Sequence, residues 1–379
     1  MAVTEAQVVD ALRPVQDPEL HVSIVELGMV RGVSVDGLRV GVEIALTVAG
    51  CPLRAEITER VTAALRPLGV EDVDVAMSVM TDEERAAVRS RMGGGNAAAA
   101  AAAGPRLGHE EGRSNPFMAP GSRTRVLGIS SGKGGVGKSS VTVNCAVALA
   151  RLGHQVAVLD ADVYGFSVPK MLGLTQAPVV IDDMIVPPVA HGVQVISIGF
   201  FVDDDQPVMW RGPMLHKALE QFLVDVYWGE PDFLLVDMPP GTGDVALSMA
   251  QYLPRTEMYV VTTPQAAAQR VAQRTGHMAR KVNLSLRGVI ENMSWFTGDD
   301  GTRYELFGRG GGASLAEVLG VPLLARLPLV PALREGGDVG VPVTAADPDG
   351  EAAHAFTALA QAVIALGPGR VFRPELTIR

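Results

Sequence analysis

The chain has 379 residues, 47% hydrophobic and 20% charged, which is enough for more than one hydrophobic core. Its 32 Lys and Arg against 42 Asp and Glu leave a net charge of −10, which excludes a nucleic-acid partner held by general electrostatics. Two cysteines cannot build a disulfide framework, no apolar run approaches the roughly 20 residues of a membrane span, and Met1-Ala2-Val3-Thr4-Glu5 lacks the basic and apolar regions of a leader peptide. A cytoplasmic setting with no membrane partner is expected.

Residues 1–92 read as a small α+β unit in the order helix, strand, strand, helix, strand, helix. Thr4 caps a helix that runs through Leu12. Met29–Val35 and Leu38–Thr47 read as strands around Asp36-Gly37, a type I′ hairpin signal. Pro52 suits the first turn of a helix to Leu65, Val73–Val79 is a third strand, and Thr81 with Glu84 forms a capping box. Cys51 precedes Pro52 at a helix start, where the dipole lowers a thiol's pKa. A small buried thiol and a metal, cluster or reactive role both stay open for it. Residues 93–115, with three glycines, Ala97 to Ala103 and Gly104-Pro105, read as a flexible tether.

Residues 116–379 open on an apolar strand, Arg125 to Ser130, followed by Gly132-Lys133-Gly134-Gly135-Val136-Gly137-Lys138-Ser139 and a helix from Ser140 to Leu152 that ends at Gly153. This is the phosphate-binding pattern G-x-x-x-x-G-K-[ST] in its strand–loop–helix setting. Glycines let backbone N–H groups close around phosphate oxygens, and the helix N-terminus adds positive potential. Gly132 through Ser140 are therefore the candidate nucleotide contacts, with Lys138 placed for the β- and γ-phosphates and Ser139 for Mg²⁺. Further strands are expected at Gln155–Leu159, Val193–Ile198, Phe233–Val236, Met258–Thr262, Leu286–Glu291 and Pro322–Leu327, with a hairpin at Val179–Ile181 and Met184–Val186. Strands alternating with helices imply an α/β fold, a doubly wound and mostly parallel P-loop NTPase sheet beside the small N-terminal domain. Ligands of such sheets sit at the carboxyl ends of the strands, where Asp160, Asp162 and Asp237 fall. Asp237 closes an apolar run, the Walker B pattern, so Ser139, Asp160 and Asp237 are the expected Mg²⁺ group. Cys145 lies mid-helix as a core filler, and the seven histidines share no metal-ligand spacing.

Lys133, directly after the first glycine, makes the loop resemble that of the deviant phosphate-loop ATPases: the nitrogenase iron protein, MinD and ParA, and the Mrp/ApbC iron–sulfur carriers. The resemblance implies that Lys133 reaches across a homodimer to the partner's nucleotide. It also implies that Asp160 and Asp162 belong to switch I, that Asp237 to Asp244 is switch II, that Asp162 orients the attacking water, and that Asn292 hydrogen-bonds the adenine. Tyr164 to Pro169, Met209 to Met214, Pro239 to Asp244 and Phe307 to Gly312 are similar to the Mrp/ApbC family in particular. Asp17-Pro18-Glu19-Leu20, Ser23 to Gly28 and Gly50-Cys51-Pro52-Leu53 resemble the small iron–sulfur assembly domain that precedes such ATPases.

The resemblance implies an ATP-hydrolysing, Mg²⁺-dependent homodimer, slow without a partner, that helps assemble iron–sulfur clusters or pass them from a scaffold to client apoproteins. A positioning ATPase of the MinD/ParA kind and a nucleotide-gated scaffold without productive turnover are the alternatives. Against the first stands the C-terminal Arg370 to Glu375 segment, which Pro374 interrupts and which has too small an apolar face for a membrane helix. Family members carry a Cys-x-x-Cys pair that bridges a 4Fe–4S cluster across the dimer. Here Phe296 to Tyr304 has no thiol and reads as a β-hairpin turning at Asp300-Gly301. Any cluster must then draw its protein thiolates from Cys51 or Cys145.

Overall fold

The computed structural model describes residues 3–17, 22–37, 39–46, 54–70, 72–81, 84, 114–163, 165–181, 184–201, 212–241 and 243–369. Two compact units emerge, Met1–Ala102 with Val179–Val186, and Ala103–Pro178 with Pro187–Arg379. Cys51, Tyr164, Met209 to Arg211, Thr242, most of the tether and the C-terminal segment from Arg370 lie outside the described residues.

In the first unit, α1 (Glu5–Leu12) starts where the sequence places it, because Thr4 Oγ1 accepts the Gln7 N–H and Gln7 Oε1 accepts the Thr4 N–H. Val8 and Leu12, one turn apart, are its buried face. β1 (Val30–Asp36) runs antiparallel to β2 (Arg39–Leu46); after α2 (Arg54–Leu65), β3 (Asp72–Val79) pairs parallel with β2. Asp36 pairs with Arg39, so Asp36 belongs to the strand and the turn begins at Gly37, one residue later than expected. Gly37, at φ 62°, takes the left-handed backbone of the turn without a Cβ penalty. The Thr81–Glu84 capping box is present, with Glu84 Oε2 accepting the Thr81 N–H at 2.7 Å.

The second unit is built on β4 (Arg125–Ser131), α3 (Lys138–Arg151), β5 (Val156–Asp160) and the single turn α4 (Val168–Met171). The chain then forms the expected hairpin of β6 (Val179–Ile181) and β7 (Met184–Val186), which groups with the first unit, and the second unit resumes with β8 (Val189–Ala190) and β9 (Val193–Ser197). The chain continues through α5 (Gly212–Val224), β10 (Phe233–Asp237), α6 (Asp244–Tyr252), β11 (Glu257–Thr262), α7 (Ala266–Lys281) and β12 (Ser285–Glu291). It closes with the short pair β13 (Phe296–Thr297) and β14 (Arg303–Tyr304), α8 (Gly311–Leu319), β15 (Leu323–Arg326), α9 (Pro331–Val339), α10 (Val343–Ala346) and α11 (Glu351–Ala365).

The large sheet has the order β15-β12-β11-β4-β10-β5-β9-β8. Only the edge strand β8 is antiparallel to its neighbour, so this is the doubly wound, mostly parallel α/β sheet expected. β5, β10 and β11 are buried along their whole length, as strands covered on both faces must be. α3 shows why periodicity blurs here: Val141 to Leu149 are all buried, because α11 packs on the side away from the sheet. The same helix begins at Lys138, two residues before its expected start, since left-handed Gly137 (φ 80°) is its cap. β13 and β14 pair Phe296 with Tyr304 and Thr297 with Arg303 around a turn containing Gly301 at φ 77°. Among the described residues no helix is long and apolar enough to cross a membrane.

Candidate active site

β10 lies between β4 and β5, and its register sets Asp237 beside both Ile129 and Asp160; Asp160 in turn lies beside Ser197 on β9. Parallel pairing therefore gathers the strand-end acids that the sequence scatters. From Ser131 the chain enters the glycine loop, in which Gly135 (φ 78°) and Gly137 (φ 80°) take the left-handed backbone. Gly132 is needed for a different reason: a Cβ there would come within 2.3 Å of the Ala272 backbone nitrogen on α7. Ser131 Oγ donates to the Lys133 carbonyl at 3.0 Å and braces the loop from inside. A cleft of about 330 Å³ opens against the loop, and its lining includes Lys133, Lys138, Ser139, Ser140, Asp162 and Pro240.

The charges converge there. Lys138 is 7% exposed, with Nζ 2.7 Å from Asp237 Oδ2 and 3.3 Å from Asp162 Oδ2. Ser139 Oγ donates to the same Asp237 Oδ2 at 2.6 Å, and Thr142 Oγ1 donates to Oδ1 at 2.7 Å. A buried ammonium requires such partners, because an unpaired charge away from water is strongly unfavourable. Asp160 is arranged differently. Its oxygens accept the Asp162 N–H (3.2 Å), the Val168 N–H (3.3 Å) and the Ser197 hydroxyl (3.1 Å), and it does not line the cleft. Burial, then the nearby charge of Asp237, pushes its carboxyl up to about 7. Asp160 thus anchors the segment that carries Asp162.

Of the remaining sequence candidates, Lys133, Gly134 and Gly135 stand at the cleft, whereas Val136 is turned inward at 2% exposed. Asn292 is 1% exposed and reaches the loop from behind, its Nδ2 donating to the Val136 carbonyl at 2.9 Å. Cys145 is 2% exposed, and burial pushes its thiol up to about 12, so it is a core residue. Among the described residues no three of His, Cys, Asp or Glu form a metal-binding group. Sequence reasoning missed Thr142 and Ser197. Thr142 lies one helical turn after Lys138, a spacing that puts it on the same face, while Ser197 acquires meaning only from the β5–β9 pairing.

Comparison with known proteins agrees with this geometry. Residues 122–364 match the family described as the NUBPL iron-transfer P-loop NTPase, and residues 5–96 match a family described as iron–sulfur cluster assembly protein. The iron–sulfur cluster carrier protein of Mycobacterium tuberculosis (strain H37Rv) is 50% identical over 348 residues, covering 89% of this chain and 87% of its own. The protein of the same name from Synechocystis is 42% identical over 371 residues, covering 96% and 97%. Among solved structures, a nucleotide-binding protein from Archaeoglobus fulgidus in complex with ADP superposes with a TM-score of 0.53 at 32% identity, covering 61% of this chain and 91% of that one. The cell division ATPase MinD of Pyrococcus furiosus gives a TM-score of 0.50 at 26% identity, covering 64% and 99%. A glycine loop, its lysine and the acid-ended strands lie inside a match spanning residues 122–364, and the chain belongs to the NUBPL iron-transfer P-loop NTPase family.

Proposed function

We propose that this chain is a cytoplasmic, homodimeric ATPase that assists iron–sulfur cluster assembly or transfer to client apoproteins, the cluster being its cargo. The carrying observation is Lys138, held within 3.3 Å of two buried carboxylates where the glycine loop enters α3. In this reading the β- and γ-phosphates of ATP take the place of those carboxylates around Lys138, and N–H groups at the start of α3 receive phosphate oxygens. Ser139 Oγ and Asp237 Oδ2, 2.6 Å apart, are hard oxygen donors of the kind that suits Mg²⁺. Bound there, Mg²⁺ neutralises charge on the β- and γ-phosphoryl oxygens. Asp162 orients the attacking water, and Asp160 holds Asp162 in place through its backbone N–H. Lys133 reaches the partner's nucleotide, and Asn292 meets the adenine.

Residues 1–92 act as the scaffold- or client-contacting domain, tethered by residues 93–115 to the ATPase domain of residues 116–379. The match of residues 5–96 to an assembly-protein family and the names of the mycobacterial and cyanobacterial relatives support that cargo. Likeness to MinD supports the fold alone.

Cys145, buried mid-helix, does not fit a bulky cluster, which leaves Cys51 as the protein thiolate for labile, substoichiometric binding. Anaerobic reconstitution with iron and sulfide, read by visible absorption, tests this. Absorption is expected in the wild type and in Cys145→Ala, and is lost in Cys51→Ser. Full absorption in Cys51→Ser overturns the ligand assignment, and failure of the loaded wild type to activate any apoprotein with ATP overturns the carrier reading.

A further inference from the structure

β12 ends at Glu291, and the next two residues turn the chain sharply. The Asn292 N–H donates to the Thr262 carbonyl at 2.8 Å, and Met293 then adopts a left-handed backbone at φ 57°. That conformation is unfavourable for a methionine, which lacks the short polar side chain that eases the left-handed region. Such strain persists only where surrounding structure enforces it. What the turn achieves is placement. Asn292 is brought against the back of the glycine loop, where Nδ2 holds the Val136 carbonyl at 2.9 Å. A Cβ on Gly137 would lie 2.3 Å from that Nδ2 and 3.6 Å from Met293 Cε, so the loop rests on both side chains. Asn292 Oδ1, buried, has no hydrogen-bond partner among the described residues, an unfavourable condition for an amide oxygen.

From this geometry we infer that Asn292 is a positioning residue of the phosphate loop, in addition to any contact it makes with a base. A trans peptide is planar, with its carbonyl and N–H on opposite sides. Holding the Val136 carbonyl back on Nδ2 therefore turns the Gly137 N–H the other way, away from Asn292 and into the loop's concave side. The side chain divides its labour: Nδ2 sets the loop, and Oδ1 is left to accept a hydrogen bond from a donor on the ligand. Asn292 thereby links the base end of a nucleotide to the geometry that grips its phosphates. This rests on the nucleotide reading above.

The test compares ATP with inorganic tripolyphosphate, which has the phosphates and no base, by calorimetric titration of the full chain. If Asn292 sets the loop, Asn292→Ala weakens both ligands, tripolyphosphate by about tenfold, the usual cost of leaving one buried carbonyl unpaired. Asn292→Asp, which faces the Val136 carbonyl with a carboxylate, weakens tripolyphosphate further. Its deficit relative to wild type shrinks as pH falls, because a protonated carboxyl again donates to that carbonyl. A variant that simply misfolds shows no such recovery. Weakened ATP binding with unchanged tripolyphosphate binding in both variants overturns the inference and leaves Asn292 a reader of the base alone. A wild-type chain that binds neither ligand overturns the nucleotide reading itself, and this inference with it.

Discussion

At the carboxyl ends of β4, β5 and β10, a buried lysine faces two aspartates; at the amino ends of β4, β11 and β12, a buried glutamate faces two arginines. Glu257, 3% exposed, takes Arg125 in a two-pronged pair at 3.0 and 2.7 Å, with Arg287 at 3.6 Å and the Tyr259 hydroxyl at 3.0 Å. Both clusters satisfy the rule that charge is buried only with partners. They differ in the helix end they meet. Lys138 begins α3, where free N–H groups and left-handed glycines surround a cleft that an anion can enter. Arg125 and Arg287 instead close the end of α11, donating to the carbonyls of Val363, Leu366 and Gly367. One cluster can exchange its partners for a ligand, and the other is occupied in closing a helix end. A buried ion pair by itself therefore marks no site; the glycine-lined cleft beside it does.

Substitutions can break this contrast. Lys138→Ala should produce the largest effect, lowering phosphate release by about 10³-fold, because it removes the buried cation proposed to face the transferred phosphoryl group. Steady-state phosphate release with parallel equilibrium ATP binding measures it, and near-normal turnover would place the phosphates elsewhere. Glu257→Gln should act on the other side of the contrast. It breaks a buried pair and lowers unfolding free energy by about 3 kcal/mol in urea titrations, while ATP affinity stays within about twofold. A large affinity loss in that variant would mean that the two ends of the sheet are coupled.

The smallest effect sharpens the comparison within the carboxyl-end cluster. Asp160 has its folded-state pKa raised from 3.8 to about 7, first by burial and then by Asp237. The folded state thus holds the proton more tightly than the unfolded chain. Its stabilising contribution is full below pH 3.8 and is lost as pH rises through about 7. Without nucleotide or Mg²⁺, the wild type should lose stability relative to Asp160→Asn across that window. A constant difference between the two would show that Asp160 stays ionised throughout.

Much of this was legible in the chain because it is local. The phosphate loop is contiguous, and Gly135 and Gly137 stand where the backbone turns left-handed. Capping at Thr4 and the turn at Gly301 follow from short-range chemistry in the same way. Helix α3 was harder to delimit, since its start depends on the Gly137 cap and its burial on α11 erases any amphipathic face. Asp160 was harder still. As a strand-end acid it looks equivalent to Asp237, and only its contacts to Ser197 and Val168, against those of Asp237 to Lys138 and Ser139, separate the two.

The amino-acid sequence by itself determined the strand–loop–helix that can grip phosphate, the acids closing apolar strands, and the absence of thiols between Phe296 and Tyr304. Backbone conformation and hydrogen-bond capacity reside in single residues and their near neighbours, so such features survive being read one stretch at a time. Tertiary structure decided the order of the strands across the sheet, and with it which carboxylates face Lys138, which one braces the segment after β5, and why Asn292 backs Val136. Strands buried on both faces carry no alternation to reveal their neighbours. Their lateral order is set by how the covering helices pack.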